Sequence, residues 1–329
     1  MYCLELAGDE DAFAACEAAA AASAVEVVAG GVATARGINH DGVRRLAYTH
    51  AASNLIAKTD ADIESAAAAL NAAGIDREGS VAVRARDVRS ATGVSTQAAE
   101  RQLGGILVDR GFRVDLDDPD HELRVLFAGG SDGDGDAGET GDSCCLLGWL
   151  AVESRREYGE RRPTDRPFFQ PGSMAPLDAR ALVNIAGAEP GATVVDPMCG
   201  TGGLLLEAGL VGSDVIGIDA QWKMTRGSRE NLTALREESG EEFDGKITVI
   251  HGDATALPLV ADAADAVVFD APYGRQSKIA RHELSDLVGG ALKEAHRIAP
   301  RAVVVADRSW DEAARKAGWT VERRFERRV

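Results

Sequence analysis

The stretch VVFDAPYG, residues 267–274, ends an apolar run on the carboxylate of Asp270 and follows it with Pro272, Tyr273 and Gly274. Residues 266–269 suit a buried strand, and the proline and glycine stop it. A carboxylate and an aromatic ring side by side at such a strand end suit one chemistry well. The exocyclic amine of a nucleobase is a poor nucleophile, because its lone pair is delocalised into the ring. The Asp270 carboxylate and the backbone carbonyl near Ala271 or Pro272 would hold its N–H groups and aim the lone pair at an electrophile. Tyr273 would stack on the base, and Pro272 would stiffen the turn that aims the carbonyl. The same residues also describe a plain strand-to-helix turn with a packed tyrosine, and the upstream sequence decides between the two.

Upstream, TVVDPMCGTGGLLLEAGL (residues 193–210) reads as strand, glycine-rich turn and helix. Asp196 precedes the turn Gly200-Thr201-Gly202, which lets backbone approach a ligand at the carboxyl edge of a sheet. The dinucleotide fingerprint is absent in its usual form. Asp219 closes the next strand about twenty residues on, where a carboxylate accepts both ribose hydroxyls. Asp253, in VIHGDATALP, follows the third strand, where it would accept a bond from an adenine amino group. Each acid alone is an ordinary loop residue or cap. At the carboxyl ends of successive strands they describe a nucleoside-binding crevice, and Asp270 joins them from the fourth.

These residues need a sheet to carry them. Strands are expected at 193–196, 214–219, 247–251, 266–270 and 302–306 with helices between, the signature of a doubly wound, mostly parallel α/β sheet. Before it lies an α+β region, residues 1–155. There the pattern predicts strands at 2–6 and 25–29, an alanine-rich helix over 11–23 and helical spacing through 50–59 and 62–74. A strand with one wet face follows at 80–89, then a helix opened by Ser95 or Thr96 and ended near Gly111. HELRVLF and SCCLLGWLAV read as a hairpin across a low-complexity Gly/Asp/Ser loop. That loop lacks the spacing and closing glutamate of a calcium site. Residues 156–172, rich in proline and arginine, read as a linker to the second domain, 173–329.

With 53 acidic against 36 basic residues, nearly all of the latter arginine, the net charge is −17. The acid is spread along the whole chain, as salt adaptation would have it: at molar salt the Debye length is roughly 3 Å and dense carboxylates repel little. Such an acidic balance does not exclude a nucleic-acid partner. The five cysteines form no C-x-x-C pair and have no histidine at ligand spacing, so no metal site or disulfide framework is expected. The alanine-rich N-terminal run carries acids and lacks a basic start, so neither a membrane span nor a signal peptide is expected, and the protein is expected in the cytoplasm.

DPMCGTGG, IGIDA, HGDATALP and DAPYG together resemble the class I S-adenosylmethionine-dependent methyltransferases that modify exocyclic amines. RPFFQPGSMAPLDARALVNIAG, just before them, resembles the archaeal tRNA guanine-N2 methyltransferases of the position-ten type. The resemblance implies a Rossmann-like methyltransferase domain behind an N-terminal THUMP domain, an RNA-binding module, to which SVAVRARDVR and ERQLGGILVDRGFRVDLDDPDHELRVLF fit. It implies S-adenosylmethionine as cofactor, with Met198, Cys199, Gly200, Thr201 and Gly202 cradling its methionine end beside Asp196. Asp219 would take the ribose and Asp253 with Ala254 the adenine. Asp270, Pro272 and Tyr273 would hold the target guanine, and residues 170–173 would lie near the cofactor. Ala271 stands where the family has a first proline, and it offers the same backbone carbonyl. The family fold ends in two antiparallel strands. WTVERRFERRV would supply one, which leaves a neighbouring strand edge unpaired.

The partner so implied is tRNA, located by shape and backbone, with Arg84, Arg86 and Arg89 as candidate phosphate contacts. A guanine N2 inside a stem must be flipped or locally opened to reach such a site. Two other substrates share the chemistry: guanine N2 of ribosomal RNA and adenine N6 of DNA. A catalytically inactive RNA-binding module is the alternative of another class. The number of methyl groups added and the oligomeric state stay open, with a monomer favoured.

Overall fold

A computed structural model describes residues 1–130, 142–272 and 284–327. They form two compact units, Met1–Arg155 and Arg156–Val329.

The first unit runs β1 (Tyr2–Leu6), α1 (Asp11–Ala18), β2 (Ala22–Ser23), β3 (Glu26–Ala29), β4 (Val32–Ala35), β5 (Gly37–Ile38), α2 (His40–Arg44) and β6 (Thr49–Asp60). It continues α3 (Ile63–Ala72), β7 (Ser80–Val88), α4 (Thr96–Asp109), β8 (Arg113–Val114), β9 (His121–Ala128) and β10 (Cys144–Glu153). Eight of these strands make one sheet in the order β3-β4-β1-β6-β10-β9-β7-β8. The antiparallel β9–β10 pairing is the expected one, and β7 lies parallel to β9. Leu70 of α3 and Leu103 and Leu107 of α4 bury against Val81, Leu123, Val125 and Leu147 of the sheet. Both helices carry side-chain caps: the Asp62 carboxylate accepts from the Ser65 N–H, and the Ser95 hydroxyl, one of the two expected caps of α4, accepts from the Ala98 N–H.

Two expectations fail here. Residues 50–59 are not helical: β6 is a twelve-residue strand paired with β1 on one side and β10 on the other. Its Ala51, Ala52, Leu55 and Ile56 fit either period, and pairing on two edges outweighs the helix propensity of alanine. The alanine-rich helix stops at Ala18, and Ala22–Ser23 instead pairs with Gly37–Ile38. The buried Glu17 carboxylate near the helix end accepts the N–H groups of Ala47 and Tyr48, at 2.7 and 2.6 Å, which fixes the chain around it.

The second unit holds α5 (Pro176–Ala186), β11 (Thr193–Asp196), α6 (Gly203–Leu210), β12 (Asp214–Asp219), α7 (Trp222–Ser239), β13 (Ile247–His251), β14 (Ala266–Asp270), α8 (Leu284–Ile298), β15 (Ala302–Val305) and α9 (Asp311–Lys316). Its five strands lie parallel in the order β13-β12-β11-β14-β15. The strand order reverses at β11, so the carboxyl ends of β11, β12 and β14 flank the crevice where ligands of open α/β sheets bind. Val194, Val195, Val267, Val268 and Phe269 are fully buried beneath that edge.

Residues 156–172, expected as a linker, pack within this unit. The fully buried Glu207 of α6 pairs with Arg161 at 3.1 Å and with Arg180 of α5 at 2.9 Å. The expected strand in residues 319–327 is absent, and β15 is the last strand of the described sheet. Trp319 instead folds onto α8, its Nε1–H donating to the Leu292 carbonyl and its ring meeting His296 edge-on at 5.1 Å. Arg327 makes an ion pair with Asp178 of α5 at 2.8 Å.

Candidate active site

β11 ends on Asp196, whose buried carboxylate accepts the Met198 N–H at 3.0 Å. The chain then turns back over β12: the Cys199 N–H donates to the Ile218 carbonyl at 2.9 Å and the Gly200 N–H to Asp219 Oδ2 at 3.0 Å. Gly200 and Gly202 both sit at positive φ, +52° and +85°. A Cβ on Gly202 would lie 2.7 Å from Ser228 Oγ, so only glycine lets α7 pass this close to the turn. Gly217 of β12 is as constrained, since its Cβ would meet Leu205 at 2.7 Å and the Cys199 sulfur at 3.1 Å.

Asp219 closes β12 with both oxygens engaged by backbone, Oδ2 by Gly200 and Oδ1 by the Gln221 N–H at 2.8 Å. At the end of β13 the His251 ring stacks flat on Trp222, centroids 4.2 Å apart, and its Nε2 lies 2.9 Å from the Ala220 carbonyl. Asp253 follows, its Oδ1 accepting from the Thr255 N–H and hydroxyl, and Ala254 is buried beside it. Asp270 ends β14, half-buried, and the Ala271 N–H donates to the Val305 carbonyl at 2.8 Å, which pins the turn to β15. Tyr273 lies outside the described residues. The structure thus gathers Asp196, Met198 to Gly202, Asp219, Asp253, Ala254, Asp270 and Pro272 along one sheet edge.

The electrostatics of this edge are unusual. Burial pushes the Asp196 carboxyl well above the ordinary range; the Met198 N–H opposes this, and the negative charges of Asp219 and Asp270 add to it. Asp219 is raised too, first by burial, against the Gln221 and Gly200 N–H groups and the nearby His251. Burial also raises the Cys199 thiol well above its usual value, which keeps it protonated and unreactive. Repelling carboxylates in a partly dry crevice favour a cationic ligand.

A raised carboxyl binds its proton more tightly folded than unfolded. Its contribution is therefore fully present below the unfolded value of about 3.9 and is lost as pH rises through the folded one. Asp196→Asn removes that loss. In the protein without ligand, the melting temperature of Asp196→Asn relative to wild type should rise between about pH 4 and pH 8. A difference that shrinks over this range would contradict the assignment.

Sequence reasoning missed the residue that joins the 167–173 segment to the glycine turn. Asn231 of α7, buried, accepts the Phe168 N–H and donates to the Phe168 carbonyl, both at 2.8 Å, and donates to the Thr201 carbonyl at 2.9 Å. Gly227, one turn earlier, leaves room for the Phe168 ring, which its Cβ would strike at 2.0 Å. The Ser173 and Thr201 hydroxyls meet at 3.0 Å, so residues 170–173 reach the turn. A single asparagine in a helix carries no sequence pattern that marks it. Asn231→Ala should weaken nucleoside-ligand binding about tenfold or more by freeing the segment and orphaning buried backbone groups, and should lower the melting temperature. Calorimetry and thermal unfolding read both effects.

The arginines expected to meet RNA lie in the first unit, and each is held by its own fold. Arg86 pairs with the buried Glu5, and Arg89 pairs with Asp11 at 2.6 Å while donating to the Gly8 carbonyl at 2.7 Å. Arg84 donates to the Leu116 carbonyl at 2.5 Å and lies 3.6 Å from Glu122. Among the described residues no group of three or more His, Cys, Asp or Glu side chains is placed to hold a metal ion.

A parallel sheet with its switch point at β11, a glycine turn and a row of strand-end acids define a Rossmann-like, nucleoside-binding domain of the class I methyltransferase type. The sequence comparison supplies the family: residues 163–329 match the one described as RMKL-like, methyltransferase domain, and the chain belongs to it. It is 37% identical over 255 residues to the tRNA (guanine(10)-N2)-dimethyltransferase of Methanothermobacter thermautotrophicus, covering 77% of this chain and 69% of that one. The Methanocaldococcus jannaschii protein of the same name is 33% identical over 61% of this chain and 55% of its own. That of Pyrococcus abyssi is 30% identical over 70% and 64%. The chain therefore spans under two thirds of the last two.

The residues present fit S-adenosylmethionine. The glycine cradle has no room for a side chain at Gly202, Asp219 offers carboxylate oxygens for ribose hydroxyls, and the acid cluster suits a cation.

Proposed function

We propose that the protein transfers methyl groups from S-adenosylmethionine to the exocyclic N2 amine of guanosine 10 in tRNA. The observation that carries the reading is the convergence of Asp196, Asp219 and Asp270 on one edge around the glycine turn, in a chain whose relatives carry that activity in their names. When bound, the cofactor supplies an activated methyl group on a sulfonium. The protein's part is positioning. Asp219 and the Gly200–Gly202 turn orient the nucleoside end, and Asp253 and Ala254 bound its base. Asp270 accepts an N–H of the target amine, fixes its direction and is placed to take the proton released. The carbonyl of Ala271 or Pro272 is the second acceptor, and Tyr273 is the candidate stacking partner for a flipped guanine.

The first unit would carry the RNA, as a THUMP-containing region ahead of the methyltransferase domain, in a salt-adapted cytoplasmic protein. No described helix is long and apolar enough to cross a membrane. The test is transfer of a labelled methyl group at molar KCl to unmodified tRNA, ribosomal RNA and DNA, with nuclease mapping of the product. Label confined to tRNA supports the reading. Label in ribosomal RNA or DNA alone moves the substrate, and tight cofactor binding with no transfer to any of them rejects it.

A further inference from the structure

Arg84, Arg86 and Arg89 are committed to partners within the fold, but three other arginines of the same unit are not. Arg77, Arg110 and Arg113 line a cavity of about 330 Å³ with Glu78, Gly79, Gly111 and Phe112. Among the described residues none of the three is in an ion pair, in a chain where carboxylates far outnumber cations. Arg110 donates from its two terminal nitrogens to the carbonyls of Ala73 and Asn71, at 2.9 and 2.5 Å, and has further N–H groups to offer. Arg77 lies over the Trp149 ring at 5.3 Å, with a terminal nitrogen 3.2 Å from His121 Nδ1. His121 Nε2 lies 3.1 Å from the Glu78 carbonyl, so the ring bridges Arg77 and the backbone.

Phe112, which lines the cavity, stacks with Trp149 at a centroid separation of 6.1 Å. Gly111, at φ +95°, has open space where a Cβ would stand. Asp115 and Asp120 feel the charge of Arg113 but form no ion pair with it, and one oxygen of each is engaged by the fold. Asp115 accepts the Asp117 and Asp118 N–H groups, and Asp120 accepts the Ser80 N–H and hydroxyl.

We infer that this cavity binds a backbone phosphate of the substrate RNA through Arg77, Arg110 and Arg113. The guanidinium fork matches a phosphodiester, and cations that are in no ion pair meet it without first breaking one. The site rests on the reading of the protein as an RNA methyltransferase and gives that RNA a point of attachment remote in sequence from the catalytic residues.

The test uses the full chain with unmodified tRNA, measuring affinity across a KCl series, methyl transfer and cofactor binding. Arg113→Gln, at an exposed side chain, is the primary variant, and Arg77→Gln/Arg113→Gln the second. Each lost arginine should weaken RNA binding about three- to tenfold at low salt and reduce the slope of log affinity against log salt by about one. The rate at saturating tRNA and the cofactor affinity should stay at wild-type values, as should the melting temperature of Arg113→Gln. Variants that bind tRNA as wild type does, while wild type methylates it, overturn the site and leave the enzymatic reading standing. Weaker binding with an unchanged salt slope makes the arginines structural and also overturns it. Displacement of the tRNA by adenosine monophosphate at equal phosphate concentration would assign the cavity to a free nucleotide instead. A wild-type protein that neither binds nor methylates RNA removes both.

Discussion

Asp270→Ala should lower methyl transfer by about 10²- to 10³-fold while changing cofactor affinity only a few-fold. The loss falls on the chemical step because Asp270 is the acceptor that turns the amine towards its electrophile. An unheld amine rotates and stays conjugated with the ring. The substitution leaves the scaffold in place: β14 lies between β11 and β15, and the Ala271 N–H keeps its bond to the Val305 carbonyl. Asp270→Asn keeps one carbonyl acceptor but offers an N–H pair where the amine also donates, so its activity should fall between alanine and wild type. Removing the Asp270 charge also lessens the repulsion on Asp196 and should bring that carboxyl part of the way back to its ordinary range. Single-turnover rates with cofactor calorimetry separate these effects. Equal losses of rate and cofactor affinity would place Asp270 in the cofactor site instead.

The second large effect is expected at Asp219. Asp219→Ala should weaken S-adenosylmethionine binding by about 10²-fold or more, from the loss of hydrogen bonds to a charged acceptor worth roughly 1.5–3 kcal/mol each. Part of the loss is indirect, because the same carboxylate holds the N–H groups of Gly200 and Gln221 and so shapes the glycine turn. Asp219→Asn divides the two roles: its carbonyl can still accept one backbone N–H, whereas its amide cannot accept from both ribose hydroxyls. An alanine variant with wild-type cofactor affinity would put the ribose elsewhere.

Much of the second unit is readable from its sequence because three of its strand ends advertise themselves. At β11, β12 and β14 an apolar run ends on an acid at a turn, whereas β13 ends on His251 and the helix expected between β13 and β14 is absent from residues 252–265. The five expected strands lie where the structure has them, within a residue at the last. What the sequence hides is what depends on distant partners. Asn231 matters through Phe168 and Thr201, and no local pattern announces a side chain that bonds backbone so far away. The alternation in SVAVRARDVR shows a wet face with three arginines but not that Glu5 and Asp11 wait opposite two of them. β6 misleads because alanine-rich apolar spacing fits two periods, and only pairing with β1 and β10 selects the strand. The tail misleads because Trp319 and Arg327 find partners on α8 and α5 in place of a sheet edge.

The most direct measurement is nucleoside analysis of unmodified tRNA after incubation with the protein and S-adenosylmethionine at molar KCl, with Asp270→Ala run beside it. N2-methylated guanosine at position ten, formed by wild type and suppressed in the variant, is the predicted result. Methylation at another atom, or equal product from the variant, would contradict the assignment of the strand-end acid that closes β14.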